Sequence, residues 1–89
     1  MHTAIIISFI SFASGVDAFA ARDVNIILST KLLQGELVTL TTKRWGREGE
    51  FDLCAQLISN EKMLETKDMI SQIKSDRVFI REVDNCSQN

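Results

Sequence analysis

The sequence predicts a small α+β domain, and three observations carry that expectation. Residues 23–33 and 36–45 show strand-type patterns on either side of Gln34-Gly35, residues 50–74 contain no Gly or Pro and repeat apolar residues at helical spacing, and residues 77–83 form a further apolar strand. The expected order is ββα(α)β: a β-hairpin, one broken or two short helices, and a third strand. With the helices packed on one face of the sheet, every apolar stripe is buried.

Residues 1–20 read as an N-terminal signal peptide. Residues 4–14 are apolar and uncharged, Gly15 follows, and Ala18-Phe19-Ala20 places small residues at alternate positions as a signal peptidase requires. Ile and Phe dominate residues 5–12; they form helices poorly in a soluble protein but suit the apolar core of a signal. Against this, the leading segment carries His2 but no Lys or Arg. Asp17 keeps the run below the ~20 residues of a membrane span, which disfavours an uncleaved anchor. Cleavage after Ala20 would leave residues 21–89 as one domain.

Residues 23–33 alternate, with Val24, Ile26, Leu28, Thr30 and Leu32 on one side and Asn25, Ser29 and Lys31 on the other, the pattern of a half-buried strand. Residues 36–45, rich in Val, Leu and Thr, supply the second strand. A three-residue loop, Leu33-Gln34-Gly35, pairs Leu28 with Leu40 and Thr30 with Val38, and gives Gly35 the left-handed position that such a loop needs.

After Trp45-Gly46-Arg47-Glu48-Gly49, the residues Phe51, Cys54, Ala55 and Ile58 recur at i, i+3, i+4 and i+7, so a helix would turn Cys54 inward. Met63, Thr66, Ile70 and Ile73 make a second stripe with a different phase, which puts a break at residues 59–61. Asn60 can close one helix or cap the next, and Lys74 suits a last turn. The third strand, residues 77–83, has Val78-Phe79-Ile80 at its centre, a run that suits burial on both faces. Residues 84–89 are a polar tail.

A core this small gains from a covalent staple. The chain has two cysteines, Cys54 and Cys86. In the oxidising compartment that a signal implies, they are expected to form one disulfide, closing a loop of about 33 residues and adding roughly 3 to 4 kcal/mol. That bond would hold the tail against the first helix.

Composition narrows the functional classes. The net charge is −2, so the clearly basic balance of a nucleic-acid partner is missing. His2 is the only histidine, and the expected cleavage removes it, which leaves no imidazole for general-base, nucleophile-activating or metal-binding work. Two cysteines cannot make a zinc site unaided, and they are not a Cys-x-x-Cys redox pair. Gly46-Arg47-Glu48-Gly49 lacks the Gly-Lys-Ser/Thr ending of a phosphate loop. Glu48, Glu50 and Asp52 contain the paired carboxylates of a possible hydrolase, but read more simply as a solvated loop and an acidic helix start. Asn85-Cys86-Ser87 matches a glycosylation acceptor, though a disulfide at its middle residue would hinder access. Met63 and Met69 are spaced for core packing. No motif points to a cofactor or to a known family.

One cluster has binding character: Lys43, Arg44, Trp45 and Arg47. Lys43 and Trp45 share a strand face, Arg44 lies on the other, and Arg47 follows in the loop, while Trp and Arg are the residues most often found at interaction hot spots. The simpler and preferred reading makes Trp45, the only Trp, a core residue and Arg44 a solvated strand residue. The functional expectation is a small secreted or periplasmic non-enzymatic interaction protein, such as an inhibitor or accessory subunit, with an unknown protein partner. The alternatives are a membrane-tethered protein that retains residues 4–20 and a carboxylate-dependent hydrolase.

Overall fold

The most apolar stretch of the chain forms the middle of its sheet. The computed structural model describes residues 1–12 and 15–88; Ala13 and Ser14, at the end of the apolar run, and Asn89, at the end of the tail, lie outside the described residues. The elements are β1 (Ala4–Phe9), α1 (Ala18–Leu33), β2 (Leu37–Arg44), β3 (Phe51–Leu57), α2 (Asn60–Ser71) and β4 (Val78–Val83), followed by a 3-10 turn at Cys86–Gln88. The strands make one four-stranded antiparallel sheet in the order β2-β3-β1-β4. This is a split β-α-β arrangement, in which β1 is inserted between the two later strands.

The α+β class and the packing of both helices on one face of the sheet are as the sequence predicts. Ile5, Ile7 and Phe9 of β1 join Leu53, Ala55 and Leu57 of β3, Val24 and Leu28 of α1, and Met63 and Ile70 of α2 in the main core. Phe9 lies opposite Phe51 in the ladder and stacks on it, with ring centroids 4.5 Å apart. The alternate residues Ala4 and Ile6 face the other side, where they form a second cluster with Cys54. Since β1 is buried on both faces, it reads as a continuous apolar run. The segment expected as a signal therefore supplies the central strand, and Ala18-Phe19-Ala20 forms the first turn of α1.

The element order βαββαβ corrects the expected ββα(α)β, and two segments account for the difference. Residues 23–33 are helical. The Asp17 side chain caps the helix by accepting from the Ala20 N–H at 3.0 Å, and Ala20, Val24, Leu28 and Lys31 form its buried stripe. Val24 and Leu28 are four apart and two alternations apart, so they fit both periods; the helix leaves Ile26 and Leu32 exposed. Gly35 does adopt a left-handed backbone, with φ of 73°, but it closes α1 instead of a hairpin: its N–H donates to Leu32 O, and the Glu36 N–H to Lys31 O. The expected Leu28–Leu40 and Thr30–Val38 pairs are replaced by pairing of β2 with β3.

Residues 51–57 are a strand rather than the first helix. Phe51, Leu53, Ala55 and Leu57 face the helices while Cys54 faces away, and an interior strand buried on both sides matches helical spacing by composition alone. Residues 59–61 are not a break between two helices, since β3 ends at Leu57 and α2 begins at Asn60, but the stripe of Met63, Thr66 and Ile70 stands. The cap of α2 is Ser59, whose oxygen accepts from the Lys62 N–H at 3.1 Å; the Asn60 amide donates to His2 O instead. Lys74 lies beyond the end of α2. The third expected strand is β4; Val78 and Ile80 pack on the main core and Val83 on the second cluster, but Phe79, in the run expected to be buried on both faces, points to solvent.

Candidate functional site

Cys54 and Cys86 are joined, with Cα atoms 5.7 Å apart. Because Cys54 belongs to β3 and faces away from the helices, the tail crosses the opposite side of the sheet, not a helix. There it covers Ala4 and Ile6, helped by the Thr3 hydroxyl donating to Asp84 O at 2.9 Å. A disulfide within a small α+β domain is consistent with an oxidising compartment.

The four expected binding residues gather at one end of β2 and in the turn that follows. Lys43 lies opposite Asp52, on the sheet face away from the helices, and Arg44 lies opposite Phe51, on the helix side. Lys43, Arg44, Trp45 and Arg47 are all exposed. Trp45 is 40% exposed, and its indole N–H donates to Asp52 Oδ1 at 2.9 Å, which fixes the ring across the sheet face instead of in the core. The Trp45 N–H donates to Glu50 O, closing the turn, and Gly46 takes a positive φ where an added Cβ would collide with the Glu50 carboxylate. Among the described residues, Lys43, Arg44 and Arg47 enter no ion pair.

The three carboxylates considered for hydrolysis sit in this turn and in β3, not at a helix start. Each is held by a structural donor: Glu48 accepts from the Ser11 hydroxyl at 2.7 Å, Glu50 from the Glu48 N–H at 2.9 Å, and Asp52 from Trp45. These bonds close the turn and orient the indole. Among the described residues no group of three or more His, Cys, Asp or Glu is placed to hold a metal ion, and no helix is long and apolar enough to cross a membrane.

Two further features were not read from the sequence. Lys31, 2% exposed, is the one buried cation among the described residues: its Nζ meets Glu36 Oε1 at 3.1 Å and also Glu65, while Lys62 meets the second oxygens of both at 3.4 Å. The Glu65 hydrogen bond, followed by Glu36, raises the Lys31 pKa above its ordinary value despite burial, and the Lys31 bond lowers that of Glu65. Helical phasing on Val24 and Leu28 would have placed Lys31 inside; the strand reading hid it. The second feature is an uncovered strip. All of β2 after Leu37 is exposed, and a shallow groove of about 710 Å³ runs along the outer flank of α1 past Ile26 and Leu33.

Comparison with protein-family models, curated proteins and solved structures finds no match for this chain.

Proposed function

We propose that the protein is a small exported, non-enzymatic interaction module, secreted or periplasmic, that meets a protein partner at the Lys43–Arg47 corner. The observation that carries this reading is an exposed corner at which Lys43 shares the sheet face of the half-exposed Trp45, Arg47 follows in the turn and Arg44 lies on the opposite face, none of the three in an ion pair among the described residues. An oriented aromatic beside exposed cations is the composition of an interface hot spot, and it suits an acidic surface that also offers an apolar or aromatic contact. Export is supported by the Cys54–Cys86 bond.

The test is retention. The oxidised full chain, immobilised and exposed to the extracytoplasmic fraction of its source, should retain a protein that the Lys43→Glu/Arg47→Glu variant releases. Equal retention by both proteins would overturn the reading, as would a native product with two free thiols found only inside the cell.

A further inference from the structure

We infer that a recess between α1 and the β2 side of the sheet binds a small aromatic carboxylate, with Arg44 taking the acid and Phe51 the ring. The recess lies on the helix side of the sheet, so the inference does not rest on the Lys43 and Trp45 face proposed above for a protein partner.

Strand register builds the recess. Arg44 pairs with Phe51 and Thr42 with Leu53, and residues directly opposite each other in an antiparallel ladder share one face of the sheet. All four face the helices, since Leu53 belongs to the main core and Phe51 packs against it. Asn25 of α1 and Gly49 of the turn complete the lining, around a volume of about 300 Å³. Arg44, Phe51 and Phe9 form one row across three strands. Phe9 stacks on Phe51 from the β1 side, which leaves the β2 side of the ring to the recess. Arg44 does not cover that side, because among the described residues the one cation placed over a ring is Arg22 over Phe19.

The side chains of the lining select the ligand. Polar groups nearby are engaged within the protein: Asp52 accepts from Trp45, Glu50 from the Glu48 N–H, and the Thr30 hydroxyl donates to Ile26 O. Among the described residues the Arg44 guanidinium, the Thr42 hydroxyl and the Asn25 amide, all in the lining, have no such partner. A guanidinium offers a planar fork that matches a carboxylate, and the hydroxyl and amide add further donors. One cation suits a monoanion, whereas a phosphate group brings roughly two negative charges. Half-buried Phe51 and buried Leu53 give a flat apolar body its contact. The volume stands at the bottom of the range of roughly 300–1,000 Å³ for small-molecule sites, so the ligand is one ring with one acidic group. The larger groove outside α1 lacks this combination: its lining comes from Val16 and α1 alone, and its one cation, Arg22, is paired with Asp23.

Titration of the oxidised full chain with benzoate, followed by amide and methyl NMR, tests the proposal. The expected result is a saturable shift at Asn25, Thr42, Phe51 and Leu53, with a dissociation constant on the order of 1 mM for so small a ligand. Benzamide, the neutral isostere, should bind about tenfold more weakly, and Arg44→Gln should weaken benzoate by about the same factor. Thr42→Phe keeps the cation but fills the recess and should abolish the shifts, whereas Lys43→Glu/Arg47→Glu should leave them in place. Thr42 and Arg44 are exposed, so both variants should retain the fold, as judged by circular dichroism. Equal binding of benzoate and benzamide, binding indifferent to Arg44→Gln, or no saturable shift at these residues would overturn the proposal. Binding of N-acetylphenylalanine but not of benzoate would overturn it in favour of a peptide C-terminus.

Discussion

Removing residues 1–20 is the most informative perturbation, because it deletes the strand on which both halves of the sheet depend. Ile5, Ile7 and Phe9 are 0% exposed and Ile6 is 1% exposed. Burial of such side chains is worth about 1.5–3 kcal/mol each, so these four contribute about 6–12 kcal/mol. A chain of this length has a net stability of only about 4–13 kcal/mol. The truncation also removes the partner of both β3 and β4, which are not otherwise paired with each other. Residues 21–89 are therefore expected to lose the cooperative urea transition and the dispersed amide spectrum of the full chain, whether or not the disulfide is intact. As a milder control, Ile7→Ala should cost about 2–5 kcal/mol and leave a single transition. If residues 21–89 unfold cooperatively at the full-chain midpoint, the assignment of β1 as the central strand is refuted, and removal of these residues as a processed leader becomes compatible with a folded product.

Cys54→Ser and Cys86→Ser should each cost about 3–4 kcal/mol by releasing a loop in the unfolded chain, and the double variant should cost little more than either, which denaturant titration would check. Cys54→Ser should be slightly the worse of the two, because it places a hydroxyl on a buried apolar face. Glu36→Gln/Glu65→Gln strands the Lys31 ammonium without a carboxylate and should cost about 3 kcal/mol, whereas Lys31→Met should be close to neutral because Lys62 still meets both acids; equal losses in urea would refute that ranking. Acid should destabilise the fold through three carboxyls held below their ordinary values: Glu65 by the Lys31 bond, Glu82 by the Lys67 bond, and Asp17 by the Ala20 N–H and then the Ser75 hydroxyl. Their stabilisation is complete above the unfolded values of 4.5 and 3.8 and is lost as pH falls through the lower folded values, so Tm should drop below about pH 5 and Lys67→Met should flatten part of that slope.

Much of the fold was legible where one period fitted and the alternatives did not. Met63, Thr66 and Ile70 admit only a helix, Ser59 and Asn60 mark its start, and residues 77–83 admit only a strand. Residues 23–33 were ambiguous because Val24 and Leu28 serve both periods, and Asp17, which caps the helix, was read only as a limit on the apolar run before it. Residues 51–57 failed for a different reason: an interior strand needs no polar face, so its periodicity carries no information. Residues 4–9 share that property, and an apolar segment rich in Ile looks the same whether it is destined for a translocation channel or for the space between two strands. At the candidate corner the alternation of Lys43 and Trp45 against Arg44 was readable, since local period sets it. The Trp45–Asp52 bond was not, because it depends on β3 being a strand.

The position of β1 also orders events during synthesis. β1 is synthesised before its partners at residues 51–56 and 78–83, so it cannot be enclosed on both sides until residue 83 has left the ribosome. Pairings so distant along the chain close slowly, and throughout that interval Ile5, Ile6 and Ile7 stand uncovered to any factor that recognises apolar nascent segments. Cys86 packs with Val83 over Ala4 and Ile6, so the outer face of β1 also waits for residues beyond β4. The Cys54–Cys86 bond fastens that later segment over the outer face of β1.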